Sequence, residues 1–298
     1  MPSASLVRFR TAHLMNDSLG AIEIRALAEK LNLKPAKSLG QNFVIDANIC
    51  RKIVRVAEVS STDHALEIGP GLGSLTLALL TQAKWVTAIE IDSRLANELP
   101  LTMALHSENA KNLTVINADA LVVQEFPNNP TVLVANLPYN VSVPVLLRYL
   151  EKFPTLNSGV VMVQAEVADR LIAKPGTKDY GIPSVKAAWW SQMVNAGSVG
   201  RSVFWPTPNV DSKLVRFTRR PTPGDEELRL NVFSAVDAAF AQRRKMLRSA
   251  LSSWLGSSSV AEAVLQRAGI DPTLRGEALE VDGFCAIARA KQEMGIGF

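Results

Sequence analysis

The apolar run Ala65–Ile68 stops abruptly at Gly69-Pro70-Gly71-Leu72-Gly73 and gives way to the leucine-rich stretch Ser74–Leu80. A short apolar run bounded by glycines reads as a buried strand, and the stretch behind it as a helix. A strand turned tightly into a helix commits the chain to a crossover, because the helix carries it back to start the next strand from the same edge. The alternation then continues. Trp85–Ile89 reads as a strand and Ser93–Leu99 as a helix; Leu113–Ile116, Val132–Ala135 and Val160–Val163 are further strands, with helices near Val143–Leu150 and Val167–Ala173. This spacing predicts an α/β fold with a doubly wound, mostly parallel sheet. Gly197–Phe204 and Lys213–Thr218, separated by Pro206, Pro208 and Asn209, read as an antiparallel pair that closes it.

Before this core lie an amphipathic helix over Ser18–Leu31, an irregular segment over Pro35–Asp46 and a helical stretch over Asn48–Val59. After it, Pro221-Thr-Pro-Gly-Asp-Glu226 reads as a linker, and the rest is helical: Leu228–Leu255, Val260–Ala268 and Val281–Met294. Residues 1–221 are therefore expected to form the α/β domain with an N-terminal extension, and 222–298 a small all-helical domain. No apolar run is long enough to span a bilayer, and Met1–Asp17 lacks the apolar centre of a signal peptide. Cys50 and Cys285 stand far apart in apolar contexts, which suits reduced core thiols and a cytoplasmic protein. With His13, His64 and His106 scattered, no metal site is expected.

The glycine loop lets the backbone approach a ligand, and the helix behind it offers unpaired N–H groups, so Gly69 and Gly71 are candidate ligand contacts. Glu90 ends the second strand about 20 residues on, where a carboxylate can accept both hydroxyls of a ribose. These features fit NAD or S-adenosylmethionine. The spacing Gly-x-Gly-x-Gly is one residue short of the dinucleotide motif, and position 74 is Ser rather than Gly or Ala. Asp119, after the third strand, could accept a hydrogen bond from an adenine amine, although alone it reads as a turn aspartate.

Val132–Ala135 ends at Asn136-Leu-Pro-Tyr-Asn140. That sequence puts an amide side chain, a carbonyl of the Pro138 loop, the Tyr139 ring and a second amide at a strand's carboxyl end. Such groups suit a planar base with an exocyclic amine: oxygens accept its N–H bonds while the ring stacks. A plain strand-to-turn junction would use the same residue types.

Net charge is +4, and its placement matters more than its size. Arg201, Lys213, Arg216, Arg219 and Arg220 cluster around one acid, Asp211, and Arg243, Arg244, Lys245 and Arg248 form a second cluster with no acid between them. A single cluster would read as a solvated helix face; two beside a base-shaped site point to a nucleic acid.

Taken together, these residues resemble the ribosomal RNA adenine dimethyltransferases, most closely the small-subunit type associated with kasugamycin resistance. The resemblance rests on Lys37-Ser-Leu-Gly-Gln-Asn-Phe43, Glu67-Ile-Gly-Pro-Gly-Leu-Gly73, Glu90-Ile-Asp92, Asn136-Leu-Pro-Tyr139, Asp179-Tyr-Gly181, Pro206-Thr-Pro-Asn-Val-Asp-Ser212 and Gln242-Arg-Arg-Lys-Met-Leu-Arg248, in that order. It implies a Rossmann-like S-adenosylmethionine-dependent methyltransferase domain and a small helical domain. It also implies transfer of two methyls to N6 of each of two adjacent adenosines near the 3′ end of small-subunit ribosomal RNA, within the small subunit or its precursor. By position, the family's cofactor contacts fall on Asn42, Val44, Gly69, Glu90, Asp119 and Asn136, and its adenine-stacking aromatic on Tyr139. Val44, Ile182-Pro183 and Met246 depart from the usual family residues. The catalytic group is expected to be Asn136, Pro138 (through a nearby backbone carbonyl) and Tyr139; Arg243, Arg244, Lys245 and Arg248 are expected to hold RNA phosphates. No metal, membrane or obligate protein partner is expected. Alternatives are a large-subunit enzyme of the macrolide-resistance type, a non-catalytic ribosome assembly factor, and an NAD-dependent oxidoreductase, which would need the longer glycine motif.

Overall fold

A computed structural model describes residues 18–33 and 41–297. The N-terminal extension up to Asp17 and residues 37–40 of the Lys37–Phe43 motif lie outside them. In chain order the elements are α1 (Ala21–Lys30), β1 (Phe43–Val44), α2 (Ala47–Val56), β2 (His64–Ile68), α3 (Ser74–Leu80), β3 (Trp85–Glu90), α4 (Ser93–His106), β4 (Leu113–Asn117), β5 (Val132–Asn136), α5 (Ser142–Lys152), β6 (Ser158–Gln164), α6 (Ala165–Ile172), α7 (Ile182–Ala188), β7 (Ser191–Val199), β8 (Phe204–Trp205), β9 (Ser212–Arg219), α8 (Glu226–Ala241), α9 (Leu247–Ala250), α10 (Ser252–Leu255), α11 (Ser258–Arg267) and α12 (Val281–Glu293).

The main sheet runs β4-β3-β2-β5-β6-β9-β7. β4 to β6 are parallel, and β9 lies antiparallel between β6 and the edge strand β7. The expected antiparallel pair forms, but one partner is displaced. β7 starts at Ser191 rather than Gly197, residues 201–203 make a 3₁₀ turn, and Phe204–Trp205 leaves the sheet to pair with β1. Pro206 and Pro208 lie in the connection back to β9, where no ladder N–H is needed. Helix α4 runs through Pro100 instead of stopping before it, because Leu95, Ala96, Leu99, Thr102 and Met103 bury one face against the sheet.

The alternation of side chains divides the core in two. Ala65, Val86, Ala88, Val134 and Met162 face α1 to α4. Leu66, Ile68, Leu133, Ala135, Val161 and Phe217 face α5 and belong to the same apolar cluster as Val232 and Val236 of α8 and Phe284 of α12. The C-terminal helices thus share a continuous core with the sheet, and the boundary expected at residue 221 falls in the connection between β9 and α8. The expected helix over Leu228–Leu255 is broken: α8 ends at Ala241, residues 242–246 form a turn, and α9 begins at Leu247. No described helix is long and apolar enough to cross a membrane.

From β2 the chain winds outward through β3 to β4, then returns to place β5 on the other flank of β2. Loops leaving the carboxyl ends of β2 and β5 therefore diverge and open a crevice between them. The Gly69–Gly73 loop and the Asn136–Asn140 loop line its two walls.

Candidate active site

The crevice is a solvent-open cleft with about 1160 Å³ of empty space, lined among others by Asn42, Val44, Gly69, Gly71, Glu90, Asp119, Asn136, Pro138 and Tyr139. Nine positions spread from 42 to 139 in sequence are thus brought to one place, seven by the carboxyl ends of β2, β3, β4 and β5 and two, Asn42 and Val44, by β1.

Gly69, Gly71 and Gly73 have φ of +69°, +57° and +96°, the left-handed region that favours glycine. At Gly71 a Cβ would also sit 2.8 Å from the Phe43 ring, which stacks on Trp205 with centroids 6.1 Å apart. The short ladder between β1 and β8 lays Asn42–Val44 across the loop as a strap, and the hydroxyl of Ser74 donates to the Val44 carbonyl at 2.7 Å. Serine at position 74 therefore anchors the strap. The sequence showed only that it departs from the dinucleotide motif.

Glu90 is 5% exposed, and its carboxylate is fixed from both sides: Gly71 N–H donates to Oε2 at 3.1 Å and Asp92 N–H to Oε1 at 3.0 Å. Burial raises its pKa, while these backbone bonds pull it down. A carboxylate oxygen can accept more than one bond, so both oxygens keep capacity for a vicinal diol. Glu67, absent from the expected site, lines the same cleft one strand away. It is fully buried, accepts from the Thr76 hydroxyl at 2.6 Å and has its pKa pushed up to about 8, chiefly by burial, with Glu90 adding to the shift. Burial thus favours its neutral form near pH 7. Asp119 is committed on one oxygen to Leu121 N–H at 2.8 Å.

Asn136 carries the most telling feature. Its Nδ2 donates to the Asn42 carbonyl at 3.1 Å, which fixes the amide's orientation, and its Oδ1 is buried with no hydrogen-bond partner among the described residues. An orphaned acceptor in a ligand-sized cleft is a costly group that a ligand N–H would satisfy. The Pro138 carbonyl accepts from Val141 N–H at 3.2 Å and so holds the turn. Tyr139 is partly exposed, and its hydroxyl is bonded to Ser212 Oγ at 2.8 Å. Burial raises the phenol's pKa and the Ser212 bond opposes this, so the ring stays neutral.

A scan against family models matches residues 32–293 to the ribosomal RNA adenine dimethylase family. The chain belongs to that family. It is 57% identical over 268 residues, 89% of this chain and 93% of the relative, to a protein of Thermobifida fusca named ribosomal RNA small subunit methyltransferase A. Among solved structures it is similar to a dimethyladenosine transferase from Plasmodium falciparum (TM-score 0.72, 26% identity, covering 85% of this chain and 98% of that one). It is also similar to the 23S rRNA methyltransferase ErmE (TM-score 0.62, 26% identity, covering 83% and 98%).

For a family that acts on RNA, the placement of the cations matters, and the structure redistributes the expected ones. The first basic cluster is consumed internally. Lys213 pairs with Asp169 at 2.6 Å and Arg216 with Glu58 at 2.6 Å, Arg219 donates to three carbonyls, and Arg201 and Arg220 approach Asp211 and Asp282 at 3.5 and 3.9 Å. In the second cluster, Arg243 turns inward. Its Nε meets Glu277 at 2.8 Å and its NH2 donates to the carbonyls of Thr177 and Lys178, so it staples the C-terminal helices to the loop after α6. Arg248 lies 3.8 Å from Glu262. Arg244 and Lys245 project from the turn between α8 and α9, exposed and without an ion pair among the described residues. The cluster is therefore not a helix face; its free charge sits at a chain reversal.

His64 enters β2 at the sheet's opposite edge, buried and bonded through Nε2 to Thr87 at 2.7 Å.

Proposed function

We propose that this member of the adenine dimethylase family transfers methyl groups from S-adenosylmethionine to N6 of two adjacent adenosines near the 3′ end of small-subunit ribosomal RNA. The single observation that carries the chemistry is the buried Oδ1 of Asn136, without a partner among the described residues, in one cleft with a fixed carboxylate and a partly exposed aromatic ring. The high identity to a relative named for the small subunit supports that substrate over large-subunit RNA, since the 23S enzyme is similar at only 26%. Ribosomal particles as substrate assign the protein to the cytoplasm.

The residues present fit the donor. The strap Asn42–Val44 packs against the glycine loop because Gly71 has no Cβ to meet Phe43, and Glu90 presents two oriented oxygens to ribose hydroxyls. Asp119 is assigned to the adenine amine through its remaining acceptor capacity. S-adenosylmethionine supplies an electron-poor methyl on a sulfonium.

Everything else is positioning. The N6 lone pair of adenine is delocalised into its ring, so the amine is a poor nucleophile. Asn136 Oδ1 accepts one N6–H and a backbone carbonyl near Pro138 the other, favouring a pyramidal nitrogen whose lone pair points at the methyl. Tyr139 stacks on the base and fixes its plane. The donor's positive charge is dispersed between sulfur and nitrogen in the transition state, so shedding water from around the reacting atoms favours the transfer. Holding the two reactants in line is worth effective molarities of order 10⁵ M. No strong general base is needed, because the methylated nitrogen is acidic enough to lose its proton to water. The target adenosine must leave its stack to reach the cleft, which favours loops and single strands. Arg244 and Lys245, with Arg248 beside them, are assigned to phosphates, which position RNA without reading its sequence.

The test is transfer of labelled methyl to small-subunit particles and, separately, to large-subunit RNA, with the modified nucleoside mapped. Dimethyladenosine at adjacent positions in the small-subunit RNA is expected. Modification of large-subunit RNA alone, or none, overturns the proposal.

A further inference from the structure

Tyr139 sits on a loop with its ring partly exposed, and such a ring ordinarily samples several χ1 and χ2 states. Here a specific contact restrains it, the 2.8 Å hydrogen bond between its hydroxyl and Ser212 Oγ. Ser212 is unusually well held. It has no exposed surface, opens β9 between two partners, and faces Gln164 of β6 on one side and Val199 of β7 on the other. Its chain neighbours are also fixed. The Asp211 carbonyl accepts Ala165 N–H at 2.9 Å, and Lys213 grips Asp169 through both carboxylate oxygens at 2.6 and 2.8 Å. The bond therefore joins a loop-borne ring to a strand held on both sides, 73 residues away in sequence.

We infer that Ser212 is a positioning residue for catalysis: its hydroxyl selects the Tyr139 rotamer that receives the target adenine. The inference rests on Tyr139 being the stacking ring, and it gives the last residue of Pro206–Ser212 a physical task. A pre-set ring face spares the base the cost of ordering it in the transition state. Losing one neutral hydrogen bond should leave the ring correctly placed about 3- to 10-fold less often.

The experiment compares Ser212→Ala, Tyr139→Phe, their double mutant, Ser212→Thr and Tyr139→Ala. Readouts are single-turnover methylation of small-subunit particles, donor affinity by calorimetry, and thermal unfolding. Each hydroxyl deletion should slow single turnover about 3- to 10-fold, and the double mutant should be no slower than either single, because both remove the same bond. Ser212→Thr should restore the rate, and donor affinity should not move. A purely structural role would instead lower the melting temperature and donor affinity together, with independent effects in the double mutant. If Tyr139→Ala is crippled while Ser212→Ala and Tyr139→Phe turn over normally, the positioning role is wrong and the stacking role stands. If Tyr139→Ala itself is normal, the stacking role falls too. Should Ser212→Ala fail to fold, Tyr139→Phe deletes the same bond from the exposed side, and normal turnover in that variant alone overturns the positioning role.

Discussion

Replacing Glu67 by Gln should stabilise the protein, and increasingly so as pH rises. The carboxyl is fully buried on the face of β2 that packs against α3, with the Thr76 hydroxyl donating to it at 2.6 Å and Glu90 nearby. Burial lifts its pKa from 4.5 to about 8. For an acid with a raised folded pKa, the folded state keeps the proton between these values while the unfolded state has lost it. Stability is therefore undiminished below the unfolded pKa and falls through the window up to about pH 8. At about 1.36 kcal/mol per pH unit, the handicap at pH 7 is roughly 3 kcal/mol, growing to nearly 5 above pH 8. Gln is neutral at every pH and its amide oxygen still accepts from Thr76, so the mutant escapes the handicap. The expected gain at pH 7 corresponds to a melting temperature about 5 °C higher in a chain of this size. Groups remote from position 67 titrate alike in both proteins, so the difference reports Glu67 and the groups coupled to it, Glu90 and Cys50. Denaturant unfolding at pH 5, 7 and 8.5 gives the comparison: curves converging at pH 5 and separating towards pH 8.5 are expected. Parallel pH profiles would mean that Glu67 is ionised in the fold.

Gly71→Ala should cost about 1–2 kcal/mol for the left-handed backbone alone, and more because its Cβ meets Phe43 at 2.8 Å; unchanged denaturant midpoint and donor affinity would remove the cradle argument. Neutralising Arg244 and Lys245 together should lower the slope of log affinity against log salt for particle binding by somewhat under two units. Arg243→Ala should instead lower stability through its lost contacts with Glu277 and the 177–178 carbonyls and leave the slope nearly intact; the reverse pattern would reassign the RNA contact. Asn136→Ala should reduce single-turnover methylation by about 10²-fold, the cost of removing one preorganised polar contact to the reacting group, and near-normal turnover would return Asn136-Leu-Pro-Tyr139 to a structural turn.

The sequence alone determined the architecture and which expected residues would meet in the cleft. Period and punctuation are local properties, so the alternating strands, the glycine loop and the helical character beyond residue 221 were legible, though not the break of the expected Leu228–Leu255 helix after Ala241. Because each crossover returns to the same edge, Gly69, Glu90, Asp119 and Asn136 could be assigned to one rim before any distance was known. The antiparallel pair was misplaced for a non-local reason: Phe204–Trp205 is as apolar as a sheet strand, and only its partner, β1, decides that it belongs elsewhere. Helix α7 was missed because it is short, and its start is marked by Gly181 N–H donating to the Ser184 hydroxyl rather than by a strong apolar period.

What only the tertiary structure decided were the partnerships. Composition counts nine cations in two clusters, but a cation held by a close carboxylate or by several carbonyls must give up those contacts to meet RNA, whereas an unpaired one need not. Arg243, Arg216 and Lys213 are claimed by residues far away in the chain, whereas Arg244 and Lys245 have no ion pair among the described residues. The same holds for Glu67, whose burial sets its protonation, for Ser74 beneath the strap, and for Ser212 beneath Tyr139. Sequence fixes which groups a residue can offer; packing decides which of those offers are already taken, because hydrogen bonds and burial are contacts in space and leave no period along the chain.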